Sequence, residues 1–416
     1  MRFRSRTRSR SIYNQKMKGA GTITLAAGGL PVLAAWLVGL SGLAAAHRPI
    51  TNVLAEVLTV LLLVLGWRFR RGRLVVAAVA LALANFLVRG PLADPPSEAG
   101  LAALAILLPV TLAVLSLLPE RPINHPLILA LLGVVVVQSW LIAAIGSARL
   151  SIRDGGAIAG ISELLTSPDL GRLVFLIAGA FIALAYAARH STFEGSLLWV
   201  TAASALALLA WMGPQAATLA FAAAQLVLLL GLVEDSYRLA YHDELTSLPG
   251  RRALEEALRT LNGNYAIAMV DVDHFKKFND RHGHAAGDQA LRMVAAELQN
   301  VGGGGKAYRY GGEEFAILFP GTTPSEASEH LEAIRTAIAD RRFAIRSPDR
   351  PRKKPESPKK PSRPPRLISV SVSIGFAGPS ARTTDSNAVL RAADRALYRA
   401  KNKGRNRVVR YGARSA

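Results

Sequence analysis

The sequence contains no cysteine, which excludes disulfides, thiolate nucleophiles and thiolate metal ligands. It is also poor in acid, with 29 Asp and Glu against 50 Lys and Arg and a formal net charge of +21. Yet 51% of the 416 residues are hydrophobic. A single soluble domain does not combine these properties, whereas apolar membrane spans with basic flanks do. The length allows about two or three domains. The positive charge is unevenly spread. The first 18 residues hold five Arg and two Lys and no acid, and residues 341–366 hold eleven Lys or Arg against two acids.

Between about residues 21 and 233, long apolar runs with almost no charge alternate with short polar connectors. Eight apolar runs lie there, at roughly 22–46, 52–67, 74–89, 99–118, 126–147, 172–188, 196–212 and 215–233. About 20 apolar residues cross the hydrocarbon core, so the second, third and sixth runs are short. So many consecutive runs argue against buried helices of a soluble core, and the first is too long for a cleavable signal peptide. Orientation follows the basic connectors. The basic N-terminal segment 1–20 stays inside, as do the connectors with Arg68, Arg70, Arg71 and Arg73, with Arg121, and with Arg189. The outer connectors carry acids such as Asp94 and Glu98, and the fifth offsets Arg149 and Arg153 with Asp154, Glu163 and Asp169. Eight spans return the C-terminal half to the inside. Glu56 is either a ligand or proton site within the membrane or a carboxylate at headgroup level. Gln138, Asn85 and Gln225 are expected to hydrogen-bond between helices.

After Val233 a connector of 234–242 is short enough to carry a helix onward. Residues 243–411 then read as a compact domain. Asp243-Glu-Leu-Thr-Ser-Leu-Pro-Gly-Arg-Arg precedes a helix expected to about 261. Tyr265-Ala-Ile-Ala-Met-Val-Asp-Val-Asp is an apolar run of strand length, ending in Asp271 and Asp273. On a strand that spacing puts both carboxylates on one face. The next stretch holds His274, His282 and His284, which read as loop and helix-cap residues rather than zinc ligands. A helix at about 287–300 follows, then Val301-Gly-Gly-Gly-Gly-Lys, then Arg309-Tyr-Gly-Gly-Glu-Glu-Phe and an apolar strand. The glycine pair lets backbone approach a ligand closely or turn with positive φ. The two glutamates supply oxygens of the kind hard divalent cations take. A helix is expected at 325–340. Residues 346–366 are rich in Pro, Lys and Arg and read as a disordered insertion. It either rests on the anionic inner leaflet or is a solvated insertion. It has no aromatic residue to stack on bases, so nucleic acid is not an expected partner. Leu367–Ala377 alternates like one strand, and the block from Ala393 reads as a helix ending at Gly404 with basic residues in its last turn.

These blocks resemble, in order and at near-family spacing over about 240–411, the GGDEF family of diguanylate cyclases in its GGEEF form. Gly250 departs from the Asn usual there. The apolar runs imply an α-helical membrane bundle of about eight spans, and the resemblance implies that it is followed by an α+β, palm-like domain with a mainly antiparallel sheet flanked by helices. It implies a membrane-bound enzyme joining two GTP into cyclic di-GMP with release of two pyrophosphates. With the spans and basic connectors above, the expected location is the bacterial inner membrane, multi-pass, with the N-terminus and the enzymatic domain in the cytoplasm. It also implies Mg²⁺, with Mn²⁺ able to substitute, held by Asp271, the Val272 carbonyl and Glu313. Glu314 would be a second ligand or help deprotonate the attacking hydroxyl. Phe275, Lys276, Asn279, Asp288, Gly311, Gly312, Lys401 and Arg405 would bind GTP. Asn279 and Asp288 would read guanine, the glycines would admit the phosphates, and Lys276, Lys401 and Arg405 would neutralise them. One domain holds one GTP, so the active form would be a homodimer, with membrane lipid as its other contact and cyclic di-GMP effectors downstream. Many family members carry Arg-x-x-Asp before the glycine pair as a product-inhibition site. Gly302 and Gly305 stand there, so that site is expected to be missing.

Three other readings compete: a degenerate domain that binds GTP and signals without turnover, a transporter with a regulatory domain, and a related cyclase acting on ATP. The metal and base residues oppose the first. The lack of paired charges or broken helices in the spans opposes the second. Asn279 and Asp288 oppose the third.

Overall fold

The computed structural model describes residues 27–90, 98–146, 168–210, 213–344, 367–380 and 385–412. The basic segment 1–20 and the insertion 346–366 lie outside the described residues. The chain divides into two compact units, Met1–Ser236 and Tyr237–Ala416.

The first unit is helical. Its elements are α1 (Gly29–Leu40), α2 (Leu43–Ala46), α3 (Arg48–Arg68), α4 (Gly72–Val88), α5 (Glu98–Leu117), α6 (Pro126–Gly146), α7 (Pro168–Arg189), α8 (Thr192–Leu209) and α9 (Pro214–Tyr241). Among the described residues six helices are long and apolar enough to cross a membrane, and α1 and α4 are shorter apolar helices. Each of the eight expected runs thus falls on an apolar helix, six of them of spanning length. The first run breaks because Gly42 turns left-handed, with φ +74°, between α1 and α2. The connector expected after Val233 is helical, since α9 runs on to Tyr241.

Polar groups in this unit are used inside it. Gln225 Nε2 donates to Thr59 Oγ1 at 2.7 Å, and Thr111 Oγ1 donates to Gln138 Oε1 at 3.1 Å. Asn85 is buried, but its Oδ1 has no partner. Glu56 is exposed and pairs with Arg89 at 3.0 Å, so it is not a buried acid. Arg73 and Arg189, which the sequence offers as basic connector charges, are instead structural. Both guanidinium groups donate to Glu194 Oε1, at 3.0 and 3.2 Å. Arg73 also reaches Glu120 at 3.2 Å and the Leu118 carbonyl at 2.9 Å, and its guanidinium lies 4.4 Å from the Phe193 ring centroid. The Glu194 side chain is only 1% exposed. Nearby, Asp235 accepts from Arg71 at 2.7 Å and from Thr192 Oγ1 at 2.8 Å.

The second unit is α+β. It adds α10 (Arg251–Arg259), β1 (Tyr265–Val272), α11 (Phe275–His282), α12 (His284–Leu298), β2 (Lys306–Gly311), β3 (Glu314–Pro320), α13 (Pro324–Asp340), β4 (Phe343–Ala344), β5 (Leu367–Ile368), β6 (Val372–Ala377), α14 (Ser386–Asn402) and β7 (Val408–Arg410). Five strands form one sheet in the order β2-β3-β1-β6-β7. All pairings in it are antiparallel except β6 with β7, which is parallel. The run 367–377 is not one strand. β5 pairs with β4 in a separate two-stranded sheet, and only β6 joins the main one.

Alternation along the strands sorts the core onto two faces. Ala266, Ala268 and Val270 pack with residues of α12 and α13, while Ile267 and Met269 pack with residues of α10 and α14. Helix α14 meets β6 through small buried residues, Ala392, Ala393, Ala396 and Ala400. At Gly375 the approach is so close that a Cβ would collide with the backbone of Ala393 and Leu397. Backbone in a packed helix cannot yield as a flexible side chain can. Gly375→Ala should therefore destabilise this unit by about 1–3 kcal/mol or more. Faster hydrogen exchange in β6 and α14 is the expected result, and unchanged protection would contradict this packing.

Candidate functional site

The site forms where the end of β1 meets the β2–β3 hairpin. Strand pairing places Asp271 directly opposite Glu314, and the Val272 N–H donates to the Glu313 carbonyl at 3.3 Å. Acids more than forty positions apart in the chain are thus brought together by register. Gly312 and Glu313 make the hairpin turn, and the register shifts between Arg309 and Gly311. Neither Gly311 nor Gly312 takes the left-handed region, so positive φ is not the reason for glycine here. A Cβ at Gly312 would meet nothing within 4 Å, so the hairpin tip is open to its surroundings.

Asp271 is 4% exposed, and one of its oxygens pairs with Lys401 Nζ at 2.8 Å. Burial pushes its carboxyl above the usual range; Lys401 opposes this and Asp273 adds to it. Glu313 is likewise raised, first by burial, then by the charges of Asp271 and Glu314. Among the described residues no three His, Cys, Asp or Glu side chains close on a common point. Asp271 lies opposite Glu314, and Glu313 feels the charge of both, with Lys401 and Arg405 set against Asp271; carboxylate oxygens are donors of the kind a hard divalent cation takes. Like charges placed directly opposite on a sheet repel, and oxygen-only donors suit Mg²⁺.

Asp273 shares the face of Asp271, as the spacing predicts, but it is differently engaged. Its oxygens accept from Ser373 Oγ at 2.6 Å, from Ser371 Oγ at 2.7 Å and from the Asn406 N–H at 3.0 Å. Phe275 is buried at the start of α11, and Lys276 beside it is exposed. Asn279 lies on α11 against α12, where a Cβ at Gly287 would collide with its Oδ1. That Oδ1 is buried without a partner. Asp288 follows Gly287 and is half-buried. Arg405 is half-buried just past α14, with φ +63°. His274 caps the start of α11 with φ +56°, and the His282 ring lies tilted at 46° with its centroid 4.9 Å from that of Phe278. Gly302 to Gly305 form a tight turn, with Gly303 and Gly304 left-handed at φ +64° and +71°. A Cβ at Gly302 would press on His330 and one at Gly305 on Phe319 and Val301.

One linkage was not assigned from sequence. Arg309 donates to Asp243 Oδ1 at 2.7 Å and to the Gly312 carbonyl at 2.7 Å. It thereby ties the domain's opening turn to the hairpin. Thr246 holds the same carboxylate through its N–H at 2.8 Å and its hydroxyl at 2.6 Å. The Asp243–Thr246 spacing, typical of Asx turns, was the available signal. Burial acts to raise the Asp243 carboxyl, but the Thr246 and Arg309 donors outweigh it and the net shift is downward. Its stabilisation is therefore present above the unfolded pKa and is lost as pH falls through the depressed folded value.

Residues 240–407 match the family model described as "Diguanylate cyclase, GGDEF domain". The chain is 36% identical over 185 residues to the diguanylate cyclase DgcP of Pseudomonas aeruginosa, covering 42% of this chain and 25% of DgcP. It is 34% identical over 174 residues to the diguanylate cyclase VdcA of Vibrio cholerae, covering 41% of this chain and 47% of VdcA. It thus spans less than half the length of either relative. Among solved structures it is similar to the coiled coil and GGDEF domain of DgcB from Caulobacter crescentus, crystallised with c-di-GMP. The identity is 34%, the coverage 44% of this chain and 91% of that one, and the TM-score 0.38.

Proposed function

We propose that this chain, whose residues 240–407 match the diguanylate cyclase GGDEF-domain model, is a membrane-bound enzyme condensing two GTP into cyclic di-GMP and two pyrophosphates. The observation that carries the reading is the register of β1 on β3. It sets Asp271 opposite Glu314 and hangs Glu313 on the Val272 N–H, next to Lys401. Acids of two separate motifs converge there with a cation at hand.

In each half-reaction the 3′-hydroxyl of one nucleotide attacks the α-phosphorus of the other, the new P–O bond forms, and pyrophosphate leaves. Asp271, the Val272 carbonyl, Glu313 and Glu314 would hold Mg²⁺ or Mn²⁺, which when bound neutralises phosphate charge and lowers the pKa of the attacking hydroxyl. Glu314 either completes that donor set or receives the hydroxyl proton on its carboxylate. The Gly311–Gly312 backbone admits the phosphates, and Lys276, Lys401 and Arg405 balance the charge of the leaving pyrophosphate. Asn279, with a buried and unpartnered oxygen, and Asp288 read the base, Phe275 flooring the helix that carries Asn279. A carboxylate accepts from the N1 and N2 donors of guanine, a pair adenine lacks. One domain binds one GTP, so the active species is a homodimer.

The apolar helices would hold the enzyme in the cell membrane, and the basic connectors support a cyclase on the cytoplasmic side, where GTP is found. The helical region controls the output. Purified full-length protein should consume GTP and leave ATP untouched under the same conditions. Turnover of ATP alone would refute the base assignment, and binding of GTP without turnover would refute the enzymatic one. Asp288→Ala should raise KM for GTP more than it lowers kcat, because lost partners leave polar groups unpaired at about 1–3 kcal/mol. A wild-type KM would place guanine recognition elsewhere. With Gly302 and Gly305 at the inhibitory positions, added cyclic di-GMP should inhibit only by competing with GTP. Tight non-competitive inhibition would show another basic patch acting in that role.

A further inference from the structure

The turn after α14 carries Arg405 in an unfavourable backbone conformation. Arg405 and Asn406 are consecutive non-glycine residues in the left-handed region, at φ +63° and +43°. Such a pair persists only where its surroundings over-determine it. Four bonds do so here. The Arg405 N–H donates to the Ala400 carbonyl at 3.1 Å, and the Arg405 carbonyl accepts from Arg407 Nε at 3.0 Å. Asn406 Oδ1 accepts from Arg335 at 2.8 Å, and the Asn406 N–H donates to Asp273 at 3.0 Å. Only the last bond runs to the residue just past β1, the strand that bears Asp271.

Asp273 is itself fixed. It is 8% exposed, its N–H donates to the Ser371 carbonyl at 2.9 Å, and the Ser371 and Ser373 hydroxyls hold its two oxygens. Both carboxylate oxygens are thus committed within the chain, whereas Asp271 has one oxygen on the mobile end of a lysine. We propose that Asp273 is a positioning residue rather than a metal ligand. It couples the end of β1 to the turn after α14 and so fixes Arg405 toward the nucleotide phosphates. This rests on the reading of Arg405 as a phosphate-binding residue. The acid pair Asp271 and Asp273 then has divided labour, the first facing the reaction and the second locking the loop that serves it.

The test is a double-mutant cycle on the purified full-length protein, with Asp273→Asn, Arg405→Ala and both together. Two readouts are taken: KM and kcat for GTP, and the Kd of a non-reactive GTP analogue, which needs no turnover. Asp273→Asn should weaken analogue binding by about tenfold, the effect of losing a hydrogen bond to a charged group. It should lower kcat far less and leave the Mg²⁺ concentration for half-maximal rate unchanged. On the Arg405→Ala background it should add almost nothing, because the residue it positions is gone. The Ser371→Ala/Ser373→Ala variant should reproduce the binding loss while keeping the Asp273 carboxylate. Independent, multiplying effects of Asp273→Asn and Arg405→Ala would overturn the proposal, as would a shifted Mg²⁺ requirement. Absence of cyclic product from the wild type would instead refute the cyclase reading while leaving the binding cycle interpretable.

Discussion

Asp271→Asn and Glu313→Gln proteins should fold and bind GTP, yet form no measurable cyclic dinucleotide. Both positions supply carboxylate oxygens where strand pairing sets like charges against one another. An amide keeps the shape but presents one neutral oxygen, a poor partner for Mg²⁺. Metal stabilisation of a reacting phosphoryl group is worth several kcal/mol, so the loss should be on the order of a thousandfold in kcat. Glu314→Gln belongs in the same series. If it alone keeps substantial activity, its carboxylate is neither a required ligand nor the proton acceptor. Near-wild-type turnover by Asp271→Asn or Glu313→Gln would sink the metal assignment. Glu313→Gln also removes the repulsion that burial and neighbouring charge impose on that acid, so its lost activity would not come from a weakened fold. Equal or higher thermal stability alongside lost turnover is the expected pair of results.

The largest effect on stability is expected in the helical unit, at Arg73. Its guanidinium binds Glu194 and Glu120 and caps a carbonyl of the α5 end, while packing on Phe193. Glu194 Oε2 has no partner as it is. Arg73→Ala would leave Glu194 with Arg189 as its remaining cation, itself half-exposed. Breaking a buried pair by removing one member typically costs about 3–5 kcal/mol, since the other charge stays buried. All five tryptophans lie between residues 36 and 211, so tryptophan fluorescence reports this unit and not the cyclase domain. A sharply lowered unfolding midpoint in that signal is predicted for Arg73→Ala. Arg73→Ala/Glu194→Leu should recover much of the loss. A wild-type midpoint for the single variant would show that the cluster contributes nothing.

How much of this was legible in the sequence depended on the range of the interaction. The apolar runs were visible because each is a local excess of Leu, Ala and Val. Their break at Gly42 was not, since one glycine in an apolar stretch is compatible with an unbroken helix. The strand β1 and its two acids could be read from periodicity, but their separate duties could not. Asp273 is defined by Ser371 and Ser373, about a hundred residues away, and no local pattern encodes that. The run 367–377 alternates throughout, yet β5 and β6 go to different sheets, because alternation sets which face a residue takes and not which partner it finds. Arg73 shows the same limit. Counted by position, it is a connector charge that helps orient a span, whereas in the fold it is the centre of a buried ion cluster. Two reasons for glycine at 311–312 were open, close approach or positive φ, and neither residue takes positive φ.

The central claim is that the acids gathered by β1 and the β2–β3 hairpin belong to a working cyclase. The most direct measurement incubates the purified full-length protein with GTP and Mg²⁺ and counts pyrophosphate released against cyclic dinucleotide formed. Two pyrophosphates for each cyclic di-GMP, with both absent in Glu313→Gln, is the result predicted. GTP recovered intact, or converted to GDP and phosphate with no cyclic product, would contradict it.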